Sequence, residues 1–352
     1  MNKLNPELGR FAENPLITPR DVRPSRPDFE VMCAFNAGAT RYNGKVFLLV
    51  RVAERPLPRP GWVATATLNL ATRKIEPLYI RCDDPELKMD DPRVFSYKGN
   101  LYLTSISHLR LAESTDGRHF TVAEQPALAP ESRYETYGVE DPRITRIDGW
   151  YYINYSAISL LGVATALART MDFQTYERLG IIFGPDNKDI AIFPERINGR
   201  YYAFHRPSMK QLGAPSMWLA SSENLLDWGR HEHVIGPRAG YWDCERVGCG
   251  AAPIRTPQGW LELYHASDKN TRYCTGAVLL DLQEPWKVLA RSEHPFLFPE
   301  ANYETSGMMP NVIFHNGLIE NGDGTLTLYY GATDDQTCGA TVRIADVLAT
   351  LK

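Results

Sequence analysis

The chain has 352 residues, 43 % hydrophobic and 23 % charged, with a formal net charge of −4. These are the proportions of a globular protein with a sizeable core, and the absence of any block of like charge argues weakly against nucleic-acid binding, which needs a basic stripe. The apolar runs are strand-sized, so none spans a membrane as a helix, and the opening MNKLNPELGRFAENPL lacks the apolar centre of a secretory leader; a cytoplasmic location is the expectation.

Read in chain order, the sequence is strand, turn, strand. Six segments place a glycine-containing turn before an aromatic or aliphatic strand: NGKVFLLVRV at 43, KGNLYLTSIS at 98, DGWYYINYSA at 148, NGRYYAFHRP at 198, QGWLELYHAS at 258 and DGTLTLYYGA at 323. Asn-Gly and Asp-Gly supply the positive φ angles of tight hairpins, and the residues that follow favour a pleated, half-buried surface. Helical periodicity is confined to Ser222–Asp227 and Ile344–Leu351. Hairpins recurring every 50 to 65 residues or so indicate a repeat architecture, and a four-stranded propeller blade needs about that length. The whole chain, 1–352, reads as one all-β propeller domain, with five full blades plus extra strands or six with a short last one. Several strands end in polar residues, Arg51, His205-Arg206, His265 and Asp334-Asp335 among them, which a propeller would gather at one rim.

Six cysteines, at 33, 82, 244, 249, 274 and 338, form no CxxC pair and have no histidine cluster at ligand spacing. They read as small buried hydrophobes rather than a zinc site.

Between the hairpins lie two copies of one short pattern. YGVEDPRIT (137–145) sets two carboxylates and an arginine around a proline, and KMDDPRVF (88–95) echoes it. Proline fixes its own φ and biases the preceding aspartate toward an extended backbone. Taken alone, either copy is equally a simple turn.

Taken together, ENPLITP (13–19), FNAGATRYNGKVFLLVRVAE (35–54), GVEDPRIT (138–145), NKDIAIFPERINGRYYAFHRP (187–207), WDCERVGCGAAPI (242–254), GWLELYHAS (259–267), GAVLLDLQEPWKVLAR (276–291), PNVIFHNG (310–317) and LYYGATDD (328–335) resemble glycoside hydrolase family 130, the β-mannoside phosphorylases and their hydrolytic relatives. The resemblance implies a five-bladed β-propeller with a central funnel. It also implies inverting, reversible phosphorolysis of a β-mannoside to α-mannose 1-phosphate and a shortened sugar. No metal or organic cofactor is implied, only inorganic phosphate as co-substrate. Relatives assemble, so a homo-oligomer is compatible, though no interface is legible.

The chemistry tells the phosphorylase from its alternatives. An inverting hydrolase needs an acid and a second carboxylate to activate water; phosphate is already a nucleophile and needs cations and donors to hold it. The resemblance places the acid at Asp141, its proton reaching the glycosidic oxygen through a sugar hydroxyl, and adjacent Glu140 is expected to raise the Asp141 pKa by like-charge repulsion. It aligns phosphate-binding groups with Asn187, Lys188, Arg206, Arg246 and His265, of which the arginines offer a two-pronged fork to phosphate oxygens. Sugar-binding candidates are Asn36, Arg51, Asp91, Tyr137, Glu140, Asn311 and Asp334, with Trp62, Trp150, Trp242 and Tyr303 as stacking platforms or core residues. The Pro- and Arg-rich stretch 51–62 reads as a lid over the acceptor side. Glu245 keeps an inverting β-mannosidase as the alternative, Glu195 being an ordinary strand residue; a non-catalytic sugar-binding propeller is the remaining reading.

Overall fold

The computed structural model describes residues 6, 8–91, 93–208 and 211–352; the start of the opening segment and Pro92 of the DDPR echo lie outside them. Strand and turn dominate. The helical pieces among the described residues are a 3-10 turn at Pro19–Asp21 and short helices at Asn302–Thr305 and Ile344–Leu348. None is long and apolar enough to cross a membrane.

The glycine turns do what their chemistry predicts. Both central residues have positive φ at Asn43-Gly44, Lys98-Gly99, Asp148-Gly149 and Asn198-Gly199, the geometry that joins twisted antiparallel strands tightly. Each turn closes a hairpin that recurs in a larger unit of antiparallel strands.

Five such units follow one another. The first is Phe29–Tyr42, Lys45–Pro56 and Ile106–Ser114, edged by Thr121–Val122. The second runs Gly138–Ile147, Trp150–Ser159, Gly162–Thr170, Glu177–Phe183. The third is Asn187–Ile192, Tyr201–Pro207, Met217–Ser222, Gly229–Ile235. The fourth is Arg246–Cys249, Gly259–Ser267, Tyr273–Leu280, Val288–Arg291, with Ile254–Thr256 on the same second strand. The fifth is Ile313–Glu320, Thr325–Ala332 and Gln336–Arg343, and its fourth strand comes from the other end of the chain, Gly9–Arg10, opposite Thr341 and Ala340.

The sixth hairpin signal, Lys98-Gly99, belongs to none of them. It lies in a three-stranded sheet, Leu87–Asp91, Val94–Tyr97 and Asn100–Leu103, which with the hairpin Trp62–Asn69 and Lys74–Arg81 is inserted within the first unit. This insertion accounts for the surplus in the hairpin count. The stretch read as a lid is strand up to Pro56 and then the connection into the insertion.

The apolar core is divided among the interfaces between units. Phe47 and Leu49 of the first meet Ile153 and Tyr155 of the second. Ile147 and Leu167 of the second meet Ile192 and Ala203 of the third. The third and fourth meet through Phe204, Leu219, Trp260 and Tyr264, the fourth and fifth through Leu261, Leu263, Leu328 and Tyr330. Leu48 and Val50 of the first pack with Ile319 and Tyr329 of the fifth. Burying a side chain of this size contributes roughly 1.5–3 kcal/mol, so these shared clusters hold the units together.

Two polar devices repeat as well. A buried carboxylate accepts from a tyrosine of its unit's second strand and an arginine of its fourth. Glu135 takes Tyr155 at 2.8 Å and Arg178 at 2.7 Å. Asp243 takes Tyr264 at 2.9 Å and Arg291 at 2.7 Å. Glu304 takes Tyr330 and Arg10, both at 2.8 Å. The third unit has a histidine pair instead, His231 Nδ1 lying 3.0 Å from His205 Nε2. The second device explains a misread helix. Ser222–Asp227 forms a turn in which Ser222 Oγ accepts from Leu225 N at 2.9 Å and Asn224 Oδ1 from Asp227 N at 2.9 Å. Ser114 with Asp116 and Thr170 with Asp172 form the same turn in earlier units. Short polar side chains compete with helix by such local bonds. Of the cysteines, 33, 249, 274 and 338 are buried as expected, whereas Cys82 is exposed and Cys244 half-buried.

Candidate active site

The first strand of a unit is interrupted by a bulge. Its register shifts between Phe35 and Gly38, Glu140 and Arg143, Lys188 and Ala191, and His315 and Gly317 in units one, two, three and five. In the first three, a residue at the bulge takes positive φ: Asn36 at 48°, Asp141 at 50°, Asp189 at 54°. Left-handed backbone at non-glycine residues costs of order 1–3 kcal/mol and is retained where surrounding structure demands it. A bulge re-aims side chains, and the side chains it re-aims here converge. In the inserted sheet the register shifts earlier, between Lys88 and Asp91, and Asp91 pairs Val94 at the end of a hairpin, so the DPR echo does not repeat the bulge at Asp141.

The convergence surrounds Asp141. Its Oδ1 accepts from Asn36 Nδ2 at 2.9 Å and Arg51 Nη1 at 3.0 Å. Its Oδ2 lies 3.7 Å from Lys188 Nζ. Arg51 also reaches Glu140 Oε1 at 2.7 Å and stacks over the Phe35 ring at 4.6 Å. All these groups border a cavity of about 550 Å³, whose walls also include Arg93, Arg206, Arg246, Ser208, Tyr273, Phe314 and Asp334.

Of the residues expected from sequence, Asn36, Arg51, Glu140, Asp141, Lys188, Arg206, Arg246 and Asp334 therefore share one cavity. Five lie outside its wall. Asn187 Nδ2 sits 3.0 Å from His205 Nδ1. His265 is buried behind the wall, its Nε2 3.2 Å from Asp189 Oδ2 and its ring 4.1 Å from that of Phe314. Asp91 grips Arg93 with both oxygens, at 3.0 and 2.8 Å, and it is Arg93 that reaches the cavity. Tyr137 is buried beside Tyr102, the ring centres 5.9 Å apart. Asn311 is exposed and bonds through its backbone to Tyr273 N.

None of the four expected aromatic platforms borders the cavity. Trp242 stacks on Tyr264 at 5.5 Å, Trp150 packs under Arg169 at 4.2 Å, Trp62 lies under Arg81 on the insertion, and Tyr303 accepts from Asn14. The aromatic surface facing the cavity is Phe35, Tyr273 and Phe314. Glu245 is exposed and outside the cavity wall, and Glu195 pairs with Arg255 at 3.2 Å. The carboxylates in the wall are Glu140, Asp141 and Asp334.

Sequence reasoning passed over Asp189, buried beside Lys188. Its Oδ2 lies 2.8 Å from Arg206 Nε, an ion-pair distance outside hydrogen-bond geometry, and its Oδ1 accepts from Arg143 Nη2 at 3.4 Å. Arg143, also buried, donates to the carbonyls of Gly250 and Cys249 at 2.5 and 2.9 Å. The signal was present: Asp189 holds the bulge position in NKDIA that Asn36 holds in FNAG and Asp141 in EDPR.

The charges set the protonation states. Burial pushes the Asp141 carboxyl up, but Arg51, Lys188, Asn36 and Arg143 together outweigh it and hold it below the usual carboxylate range. Burial pushes Glu140 up more than Arg51 brings it down, and Asp141 adds to the rise. The repulsion expected to raise Asp141 is thus expressed on Glu140, because the cations converge on the aspartate. Burial likewise raises Asp334. Asp189 resists burial through Arg206, His265 and Lys188 and stays well below the ordinary range. Burial lowers His265 to about 4 despite Asp189, so the ring is neutral at pH 7.

The glycoside hydrolase family 130 model, described as beta-1,4-mannooligosaccharide phosphorylase, matches residues 91–352. The chain is 47 % identical over 348 residues to the beta-1,2-mannobiose phosphorylase of Listeria innocua, covering 97 % of this chain and 98 % of that one. It is 39 % identical over 245 residues to the 1,2-beta-oligomannan phosphorylase of a Thermoanaerobacter species, covering 69 % and 80 %. The solved beta-1,2-mannobiose phosphorylase from Listeria innocua, in its beta-1,2-mannobiose complex, superposes with a TM-score of 0.94 at 46 % identity over 99 % of each chain.

Proposed function

The chain belongs to glycoside hydrolase family 130, and on that premise we propose that it is a glycoside phosphorylase, cleaving β-mannosides with inorganic phosphate and inverting the anomeric carbon to release α-mannose 1-phosphate. The relatives at 47 % and 39 % identity favour a β-1,2 linkage, in mannobiose or a longer oligomannan. The reading extends to the whole molecule: the five units are blades of one five-bladed propeller whose funnel holds the site. The core shared between successive units, and Gly9–Arg10 completing the last one, support that closure.

One observation carries the chemistry. Lys188, Arg206 and Arg246 border the same cavity as Asp141, while Glu245, the candidate base of a hydrolase, lies outside it. Arginine forks and a lysine suit a phosphate dianion. Oδ1 of Asp141 is engaged by two donors, Asn36 and Arg51. The transferable proton therefore belongs on Oδ2, the oxygen facing Lys188. In phosphorolysis a phosphate oxygen attacks the anomeric carbon as the glycosidic oxygen departs. That oxygen takes the Asp141 proton by way of a sugar hydroxyl. Lys188 serves both partners: a bound dianion draws on its charge, weakens its hold on Asp141 and lets Oδ2 keep a proton. Synthesis runs the same steps backwards, with Asp141 as base.

The test is turnover of β-1,2-mannobiose with and without phosphate, with the anomer of the sugar product read by NMR. Phosphate-dependent release of α-mannose 1-phosphate is expected; mannose released at the same rate without phosphate would overturn the assignment.

A further inference from the structure

Behind the cationic wall lies a carboxylate that touches no solvent and no cavity. Asp189 is fully buried and holds three groups at once: Arg206 Nε at 2.8 Å, His265 Nε2 at 3.2 Å and Arg143 Nη2 at 3.4 Å. Space for this arrangement is built in. A Cβ at Gly248 would lie 2.8 Å from Asp189 Oδ2 and 2.6 Å from His265 Nε2, closer than real side chains pack. Arg206 presents only its Nε to Asp189. Among the described residues no acceptor engages its terminal nitrogens, and the residue borders the cavity. Holding a guanidinium by its inner nitrogen leaves the two-pronged end for another anion.

We propose that Asp189 is a positioning residue for phosphate: it fixes Arg206 from behind, with His265 and Arg143 bracing the carboxylate, so that the outer edge of the guanidinium meets the incoming dianion already oriented. This rests on the assignment of phosphate to the Lys188, Arg206 and Arg246 wall. The His265 ring, kept neutral by burial, lies against the carboxylate without adding charge to the wall. Removing the carboxylate releases Arg206 to other rotamers, and phosphate must then bear the cost of ordering it.

Asp189→Asn in the full chain tests this by steady-state kinetics with both substrates varied. The amide keeps the shape but turns a donor toward Arg206 or His265. The expected result is a KM for phosphate raised on the order of 10–100-fold, as for other residues that orient a ligand-holding group, with the KM for β-1,2-mannobiose little changed. If that variant does not accumulate folded, Asp189→Glu keeps the charge, displaces Arg206 by one methylene and should show the same split. A folded variant with the wild-type phosphate KM overturns the proposal. So does an equal loss toward both substrates, which marks a merely structural residue. Wild-type turnover that needs no phosphate, seen before any variant is made, would overturn the phosphate assignment and this inference with it.

Discussion

Replacing Lys188 by methionine keeps the stem and removes one positive charge 3.7 Å from Asp141 Oδ2. At that separation, with an effective dielectric constant near 20, the attraction is about 4 kcal/mol, or about three pH units on the aspartate titration. The lysine side chain is 27 % exposed, and water and salt screen part of this, leaving roughly one pH unit. The sign is fixed. A cation favours the carboxylate, so its loss raises the Asp141 pKa. Arg51, Asn36 and Arg143 still oppose the rise, while Glu140 and Asp334 favour it. Phosphorolysis needs Asp141 protonated, so its alkaline limb should move to higher pH. Synthesis needs it ionised, so its acid limb should move up too. The assay is kcat/KM for mannobiose and for α-mannose 1-phosphate across pH. Limbs that stay put, or move in opposite directions, would refute the coupling of this lysine to the acid.

Asp141→Asn should reduce phosphorolysis and synthesis together by about 10²–10⁴-fold, with the midpoint of thermal unfolding little changed; retained synthesis would remove Asp141 from the reaction. Gly250→Ala would set a Cβ 1.9 Å from His315 Nε2 and 2.4 Å from the Leu263 carbonyl, so urea denaturation should report a loss of at least 1–3 kcal/mol or so, the usual cost of overpacking; an unchanged midpoint would show that the backbone yields there. Glu304→Gln breaks the cluster that joins Arg10 to the last unit. Breaking such a pair costs about 3–5 kcal/mol. Native-state hydrogen exchange should show the strand Gln336–Arg343 losing protection first, and uniform loss across all units would argue against Arg10 as the closing strand.

Much of this was legible in the order of residues because it is local. Tight turns require positive φ, and Asn-Gly and Asp-Gly reveal them without knowledge of the rest of the chain. Alternating aromatic and aliphatic residues after each turn mark half-buried strands, and the family motifs around Asn36, Asp141, Lys188 and Arg206 lie in single segments. The reading failed where another segment decided. Ser222–Asp227 has helical residues but is captured by Ser222 and Asn224 in a turn. The Lys98-Gly99 hairpin obeys the same turn rules as the others, yet only strand pairing assigns it to an insertion. The sequence also could not show the side chains that His265, Asn187 and Asp91 lie against, namely Asp189, His205 and Arg93. The tertiary structure alone placed Asp189 behind Arg206 and gathered cations from separate units around Asp141, which reverses the pKa direction expected from Glu140. A neighbour in sequence contributes one charge at a fixed offset, whereas folding brings Arg51 and Lys188 from other units to a buried Asp141, where their sum prevails.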